Sequence, residues 1–161
     1  MAQMVDPHIG LLSYQEALRN CLIAPTAGAI HSDIMVLMDD AEGTSRLTYA
    51  LIDNDTVKAT VVYVPAQPLN GVRCFDVGYA VAKPFRRQGI ATQLLEKSIE
   101  EMRQGFGRHM EKFYIEALVG MDNIGSQKVA AKVLSPKSPP RESIDSVSGL
   151  PALVYTRLIE C

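Results

Sequence analysis

A mixed α/β sheet with helices on both faces is the fold this sequence predicts. Three observations carry it. The chain has β-rich runs at Arg46 to Ile52, Thr56 to Val64, Cys74 to Val81, Lys112 to Val119 and Leu150 to Ile159. Helix-period apolar stripes lie between and before these runs. The order is helices, a hairpin, then strand–helix–strand–helix–strand, which layers helices against a central sheet.

Taken in order, Leu11 to Ile23 carries apolar residues at Leu11, Leu12, Ala17, Leu18, Leu22 and Ile23, the pattern of an amphipathic helix ending before Pro25. Ile34, Met35, Leu37 and Met38 predict a second short helix over His31 to Asp40, capped by Ser32 or Asp33. Arg46 to Ile52 and the β-branched run Thr56 to Val64 flank the turn residues Asp53-Asn54-Asp55, which reads as a hairpin. Pro65 to Gly71 reads as a connecting loop and Cys74 to Val81 as the third strand. Lys83 to Ile90 is a basic, glycine-containing turn. From Ala91 the stripe Leu94, Leu95, Ile99, Met102 opposes Glu96, Lys97, Glu100 and Arg103, so a helix runs to Gly105 and Gly107. The Glu96 to Glu101 run reads as its solvated face. After the strand Lys112 to Val119, a further helix starts at Asn123 or Ser126 with Val129, Ala130 and Val133 inward. The proline- and serine-rich stretch Ser135 to Ser148 is long for a plain connection. Leu150 to Ile159 closes the sheet, with Pro151 confined to its first positions or an edge.

The 161 residues fit one domain spanning 1–161, since domains usually hold about 100–200 residues. A formal net charge of −2 gives no global basic field of the kind that nucleic-acid binding needs. No window has the apolar length of a membrane span, and Met1 to Asp6 lacks the basic start and apolar run of a secretory signal. Cys21, Cys74 and Cys161 are scattered, as are His8, His31 and His109, so free thiols and no metal are expected. A cytoplasmic protein with neither nucleic acid nor membrane as partner is the resulting expectation.

The stretch Val81-Ala82-Lys83-Pro84-Phe85-Arg86-Arg87-Gln88-Gly89-Ile90-Ala91-Thr92 carries the chemistry. A strand ends, a basic turn follows, and a helix begins. The first N–H groups of a helix lack internal partners and sit at the positive end of its dipole. A phosphate docked there receives several N–H bonds at once. Gly89 lets backbone approach an anion, small Ala91 helps, and Arg86 and Arg87 add charge suited to a pyrophosphate. The stretch is neither a P-loop nor a dinucleotide fingerprint, because the required Gly-Lys-Ser/Thr and Gly-x-Gly-x-x-Gly patterns are absent.

Arg86-x-x-Gly89-x-Ala91 resembles the acetyl-coenzyme A signature of the GNAT superfamily of N-acetyltransferases, and Asp76 to Val81 resembles the strand that leads into it. Asn123-Ile124-Gly125-Ser126 followed by Val129-Ala130-Ala131-Lys132 resembles the second family motif, after a strand ending Ile115-Glu116-Ala117. The resemblance covers Asp76 to Lys132 and extends to the flanks by element order alone. It implies a GNAT-like mixed central sheet with two splayed parallel strands, here Cys74 to Val81 and Lys112 to Val119. The pantetheine arm of the cosubstrate acetyl-coenzyme A would lie in the splay near Val81. The N–H groups of Arg87, Gln88, Gly89, Ile90 and Ala91, flanked by Arg86 and Thr92, would take the pyrophosphate. Asn123 would position the arm, with Ser126 beside the cofactor.

The implied reaction is acetyl transfer to an amine by direct attack in a ternary complex. A lysine-like amine has a pKa near about 10.4 and arrives protonated, so a base must free it. Asp76 and Glu116 are the candidate bases, and a backbone N–H near Val81 suits the oxyanion. Asp76 and Tyr79 have odd spacing and point to opposite faces, so at most one faces the substrate. Tyr79, Tyr49 and Tyr63 read as packing residues.

The chain departs from the family pattern in two places. Ala130 stands where many members carry a tyrosine that protonates the leaving thiolate; Tyr155, Tyr114, Ser126 or a water are the substitutes. Lys132 is followed by Val133-Leu134-Ser135 and not by glycine-phenylalanine, so the Pro/Ser segment could replace part of the next strand. The departures motivate an alternative, an acyl-coenzyme A-binding regulatory module with little catalysis. A nucleotide-binding α/β protein sharing only the helix-start physics is a third reading. The acceptor is expected to be a small-molecule amine or a protein N-terminal amine, and Leu150 to Ile159 could pair with a partner in a homodimer by analogy with the superfamily.

Overall fold

The computed structural model describes residues 6–41 and 43–161; the reading of Met1 to Val5 lies outside them. Helix α1 (Pro7–Arg19) opens the chain. Among the described residues eight strands follow: β1 (Thr26–Ala27), β2 (Met35–Ala41), β3 (Thr44–Asp53), β4 (Thr56–Leu69), β5 (Val72–Val81), β6 (Lys112–Gly120), β7 (Arg141–Ile144) and β8 (Pro151–Glu160). Helix α2 (Ile90–Phe106) joins β5 to β6, and α3 (Ile124–Val133) follows β6. One sheet holds the strands in the order β1-β2-β3-β4-β5-β6-β8-β7. Only β5 and β6 pair in parallel among the described residues, as a strand–helix–strand unit requires.

Both sheet faces are covered in part, as the sequence predicts. One face packs Tyr63, Phe75, Val77, Phe113 and Ile115 against Leu94, Leu95, Ile99 and Met102 of α2 and Ala130 and Val133 of α3. The other packs Ala50 and Val57 under Leu11 and Tyr14 of α1. α1 starts earlier than Leu11 because Asp6 accepts a hydrogen bond from the His8 amide at 2.8 Å and Pro7 occupies a first-turn position where no N–H is needed. Gln15 fixes α1 to the sheet: its amide donates to Asp55 O at 2.9 Å and accepts from Val57 N at 2.7 Å.

Two expectations are corrected. Met35–Ala41 is a strand, not a helix, paired with β3 along its length. The i, i+3, i+4 spacing of Ile34, Leu37 and Met38 mimics a helix, but ladder pairing to β3 overrides it, and Met38 is exposed. Pro65 to Gly71 is not a loop. β4 continues to Leu69 and turns through Asn70 and Gly71, whose φ values of 52° and 74° fit a two-residue hairpin turn. Pro65 and Pro68 are tolerated because β3 pairs with β4 only as far as Tyr63, leaving that edge without a ladder to break.

The Pro/Ser segment does supply a strand, β7, as the altered helix end suggested, and Pro151 is the first residue of β8. β8 pairs with β6 over Ala152–Glu160 and with β7 over Pro151–Val154, so among the described residues the outer edge is β7 together with the Tyr155–Glu160 half of β8.

Glu101 is also not on a solvated face. It is 8% exposed, and its carboxylate accepts from the amides of Ala29, Ile30 and His31 at 2.7–3.2 Å. Lys97 donates to Asp33, and His31 Nε2 lies 2.6 Å from Glu100, so the outer side of α2 clamps the segment before β2. Truncation would remove the acceptor of three N–H groups, of which those of the exposed Ala29 and Ile30 can turn to water. Glu101→Ala is therefore expected to lower stability by about 1–3 kcal/mol in urea unfolding. A loss under about 0.5 kcal/mol, the range of ordinary surface changes, would contradict this clamp.

Candidate acyl-coenzyme A site

The site begins where β5 and β6 part. Their ladder has three rungs, Cys74↔Tyr114, Phe75↔Ile115 and Asp76↔Glu116, and none beyond. Val77–Val81 and Ala117–Gly120 therefore diverge with no ladder between them. The closed end is held by three phenylalanines from three elements: Phe75 stacks on Phe106 at 5.2 Å and meets Phe113 edge-on at 5.7 Å. A splayed parallel pair with one end pinned is the arrangement the resemblance implied.

Past Val81 the chain makes a 3-10 turn over Lys83–Phe85 and enters α2. Arg87 and Gly89 both take left-handed backbone conformations, with φ of 64° and 72°. Such alternation turns successive N–H groups toward one concavity. Arg87 adopts it at a steric cost that a non-glycine residue rarely bears. Gly89 is the N-cap of α2; it supplies no side-chain bond, and the first turn has no acidic residue. Among the described residues, no protein acceptor meets the amides of Arg87, Gln88, Gly89, Ile90, Ala91 or Thr92; the first helical bond is Gln93 N to Gly89 O. A Cβ on Gly89 would meet no protein atom within 4 Å, so the glycine answers its φ and not a packing constraint. Six unmatched donors at a positive helix end, with no carboxylate to cap them, fit a diphosphate. Arg86 contributes less directly than expected: its Nε donates to Val81 O at 3.0 Å, bracing the turn against the strand end.

Asp76 and Glu116 form the last rung and share one face. Their neighbours Phe75, Val77, Ile115 and Ala117 point into the core under α2, so both carboxylates point to the opposite face, the one α1 covers farther along β4 and β5. Burial, and then the charge of Glu116, push the Asp76 carboxyl up to about 6. Glu116 has its own partners: Thr156 Oγ1 donates to it at 3.1 Å, and Arg141 Nη2 lies 3.7 Å away. The two carboxylates thus differ in surroundings: Glu116 has a hydroxyl donor and a guanidinium beside it, whereas burial raises the Asp76 carboxyl.

Across the splay, Asn123 caps α3 and accepts from Ser126 N at 3.2 Å. That carboxamide oxygen, expected at the cofactor, serves the helix here, leaving its NH2 as the group that can face a ligand. Ser126 lies in the first turn of α3, as expected, and its hydroxyl has no protein partner among the described residues. Ala130 is fully buried, so no acid projects from that position. Tyr79 is more than a packing residue: its hydroxyl donates to Ser126 O at 2.6 Å. Its position on the splayed half of β5, three residues after Asp76, was the available signal. Thr156 and Arg141 also escaped the sequence reading, because nothing local announces which strands flank β6.

A mixed sheet with one splayed parallel pair, and beside it a helix whose amino end is bare, is the arrangement that the family resemblance implies. The acetyltransferase (GNAT) family profile matches residues 16–134, and the chain belongs to that family. No curated protein sequence matches it significantly. Among solved structures, a ribosomal-protein-S5-alanine acetyltransferase from Vibrio fischeri is 15% identical with a TM-score of 0.54, covering 71% of this chain and 61% of its own. The ribosomal L7/L12 α-N-protein acetyltransferase RimL, in complex with coenzyme A, is 18% identical with a TM-score of 0.50, covering 71% of this chain and 62% of its own. A GNAT-family acetyltransferase from Streptococcus pneumoniae is 14% identical with a TM-score of 0.53, covering 98% and 97%. This chain thus spans about three fifths of the first two structures and nearly all of the third, and at these identities the likeness shows the fold.

Proposed function

We propose that the chain transfers an acetyl group from acetyl-coenzyme A to a primary amine by direct attack in a ternary complex. The observation that carries this reading is the coincidence of unmatched amides at Arg87–Thr92 with a gap between β5 and β6 that begins at two carboxylates. The amides, with Arg87, would hold the pyrophosphate, and the pantetheine arm would lie along the open edge of β5 toward Asp76. The bound cosubstrate supplies an activated thioester.

Asp76 is the better base. A carboxyl near 6 is ionised at neutral pH and basic enough to draw a proton from an ammonium, directly or through water. Glu116, supported by Thr156, places a second negative charge beside it that favours a cationic acceptor. Backbone N–H groups at the open strand edge near Val81 can meet the oxyanion. Ser126 remains a candidate for a role near the leaving group, because its hydroxyl is free to turn.

A small amine and a protein N-terminus both suit an acceptor site defined by two carboxylates, and the neighbours named for ribosomal-protein N-termini support the second. A thiol-release assay with acetyl-coenzyme A over small amines and N-terminal peptides tests the reading: amine-dependent release is expected. Tight coenzyme binding without release on any acceptor would favour a regulatory acyl-coenzyme A-binding module, the reading that Ala130 at the usual acid position supports.

A further inference from the structure

Tyr79 lies on the part of β5 that has left β6, on the face toward α2 and α3. Its hydroxyl crosses to the first turn of α3 and donates to Ser126 O at 2.6 Å. Ser126 is the residue whose amide Asn123 caps, so cap, helix turn and phenol form one chain of bonds: Asn123 to Ser126 to Tyr79. α3 otherwise packs on α2, β6 and β8, and the Tyr79 bond ties it by side chain to β5 among the described residues. Ala130, one turn on, is buried and offers only a methyl group. Burial raises the phenol's pKa well above its ordinary value, so it stays a donor at any working pH.

We propose that Tyr79 is a positioning residue of the coenzyme cleft: from the open half of β5 it sets the distance to the first turn of α3 and so fixes the width of the slot for the pantetheine arm. This inference rests on the coenzyme reading above. A tyrosine is a rigid spacer with two side-chain torsions, so one hydrogen bond at its tip defines a separation at low entropic cost. Removing the hydroxyl frees the slot wall without stranding Ser126 O, which keeps the helical Ala130 N–H as a donor.

The test is Tyr79→Phe, titrated calorimetrically with coenzyme A and with adenosine 3′,5′-diphosphate, which has no pantetheine arm, alongside urea unfolding. The coenzyme A Kd is expected to rise about tenfold, equivalent to about 1.4 kcal/mol. The Kd for the diphosphate and the urea midpoint are expected to stay unchanged. Equal coenzyme A affinity in the variant and the parent protein would overturn the inference and leave the cofactor reading standing. Equal weakening of both ligands with a lowered urea midpoint would reduce Tyr79 to a prop for the fold and overturn it too. If the parent protein binds neither ligand, the cofactor reading falls and this inference with it.

Discussion

Gly89→Glu is expected to abolish acetyl-coenzyme A binding, with a loss of at least about a hundredfold, or roughly 2.7 kcal/mol. The new carboxylate would sit at the N-cap of α2, where it can accept from the amides that the diphosphate needs. It would also repel the phosphates across a few ångströms. The fold should survive, because a Cβ at this position meets no protein atom within 4 Å and the rest of the side chain can extend from there. Any stability loss comes from the left-handed φ of 72° and should be about 1–2 kcal/mol. Gly89→Ala separates the two effects, since it carries the backbone strain without the charge. Calorimetric titration of both variants checks this: full affinity in Gly89→Glu would remove the helix start from the binding site.

The second large effect concerns Asp76. Asp76→Asn is expected to lower kcat by about 10²–10⁴, the usual contribution of a positioned base, with acetyl-coenzyme A affinity almost unchanged. The pH profile gives the sign. The carboxyl is pushed up to about 6, so its working form is the ionised one above that pH. As pH falls through 6 the base is protonated, and kcat/KM should drop about tenfold per unit below it. The asparagine variant should lack that limb. An unaltered rate and acid limb would take the role from Asp76 and leave Glu116 or a water as the base.

The candidate site's backbone geometry was legible in the sequence where a local pattern and a local geometry coincide. Arg86 to Thr92 is one continuous turn and helix start, so its unmatched amides follow from backbone rules alone. The hairpin at Asn54 and Asp55 was legible for the same reason, since two residues with positive φ close it. Met35–Ala41 was misread because the spacing of Ile34, Leu37 and Met38 mimics a helix, and only pairing with β3 overrides it. Pro65 and Pro68 hid the end of β4, and only the end of the β3–β4 ladder at Tyr63 explains why they fit. Glu101 and Tyr79 were misjudged because their partners lie 70–72 and 47 residues away. Long-range hydrogen bonds leave no periodicity to read. The pairing of Asp76 with Glu116 likewise needed the parallel register, which neither strand specifies by itself.

The central claim is that the amides opening α2 grip a diphosphate and thereby aim the thioester into the gap beside Asp76. Amide resonances followed by NMR during titration with coenzyme A test it most directly. The Arg87 to Thr92 amides should show the largest shifts, saturating together with those of Val77 to Val81. Saturable binding that leaves these resonances unmoved, while amides elsewhere respond, would contradict the account.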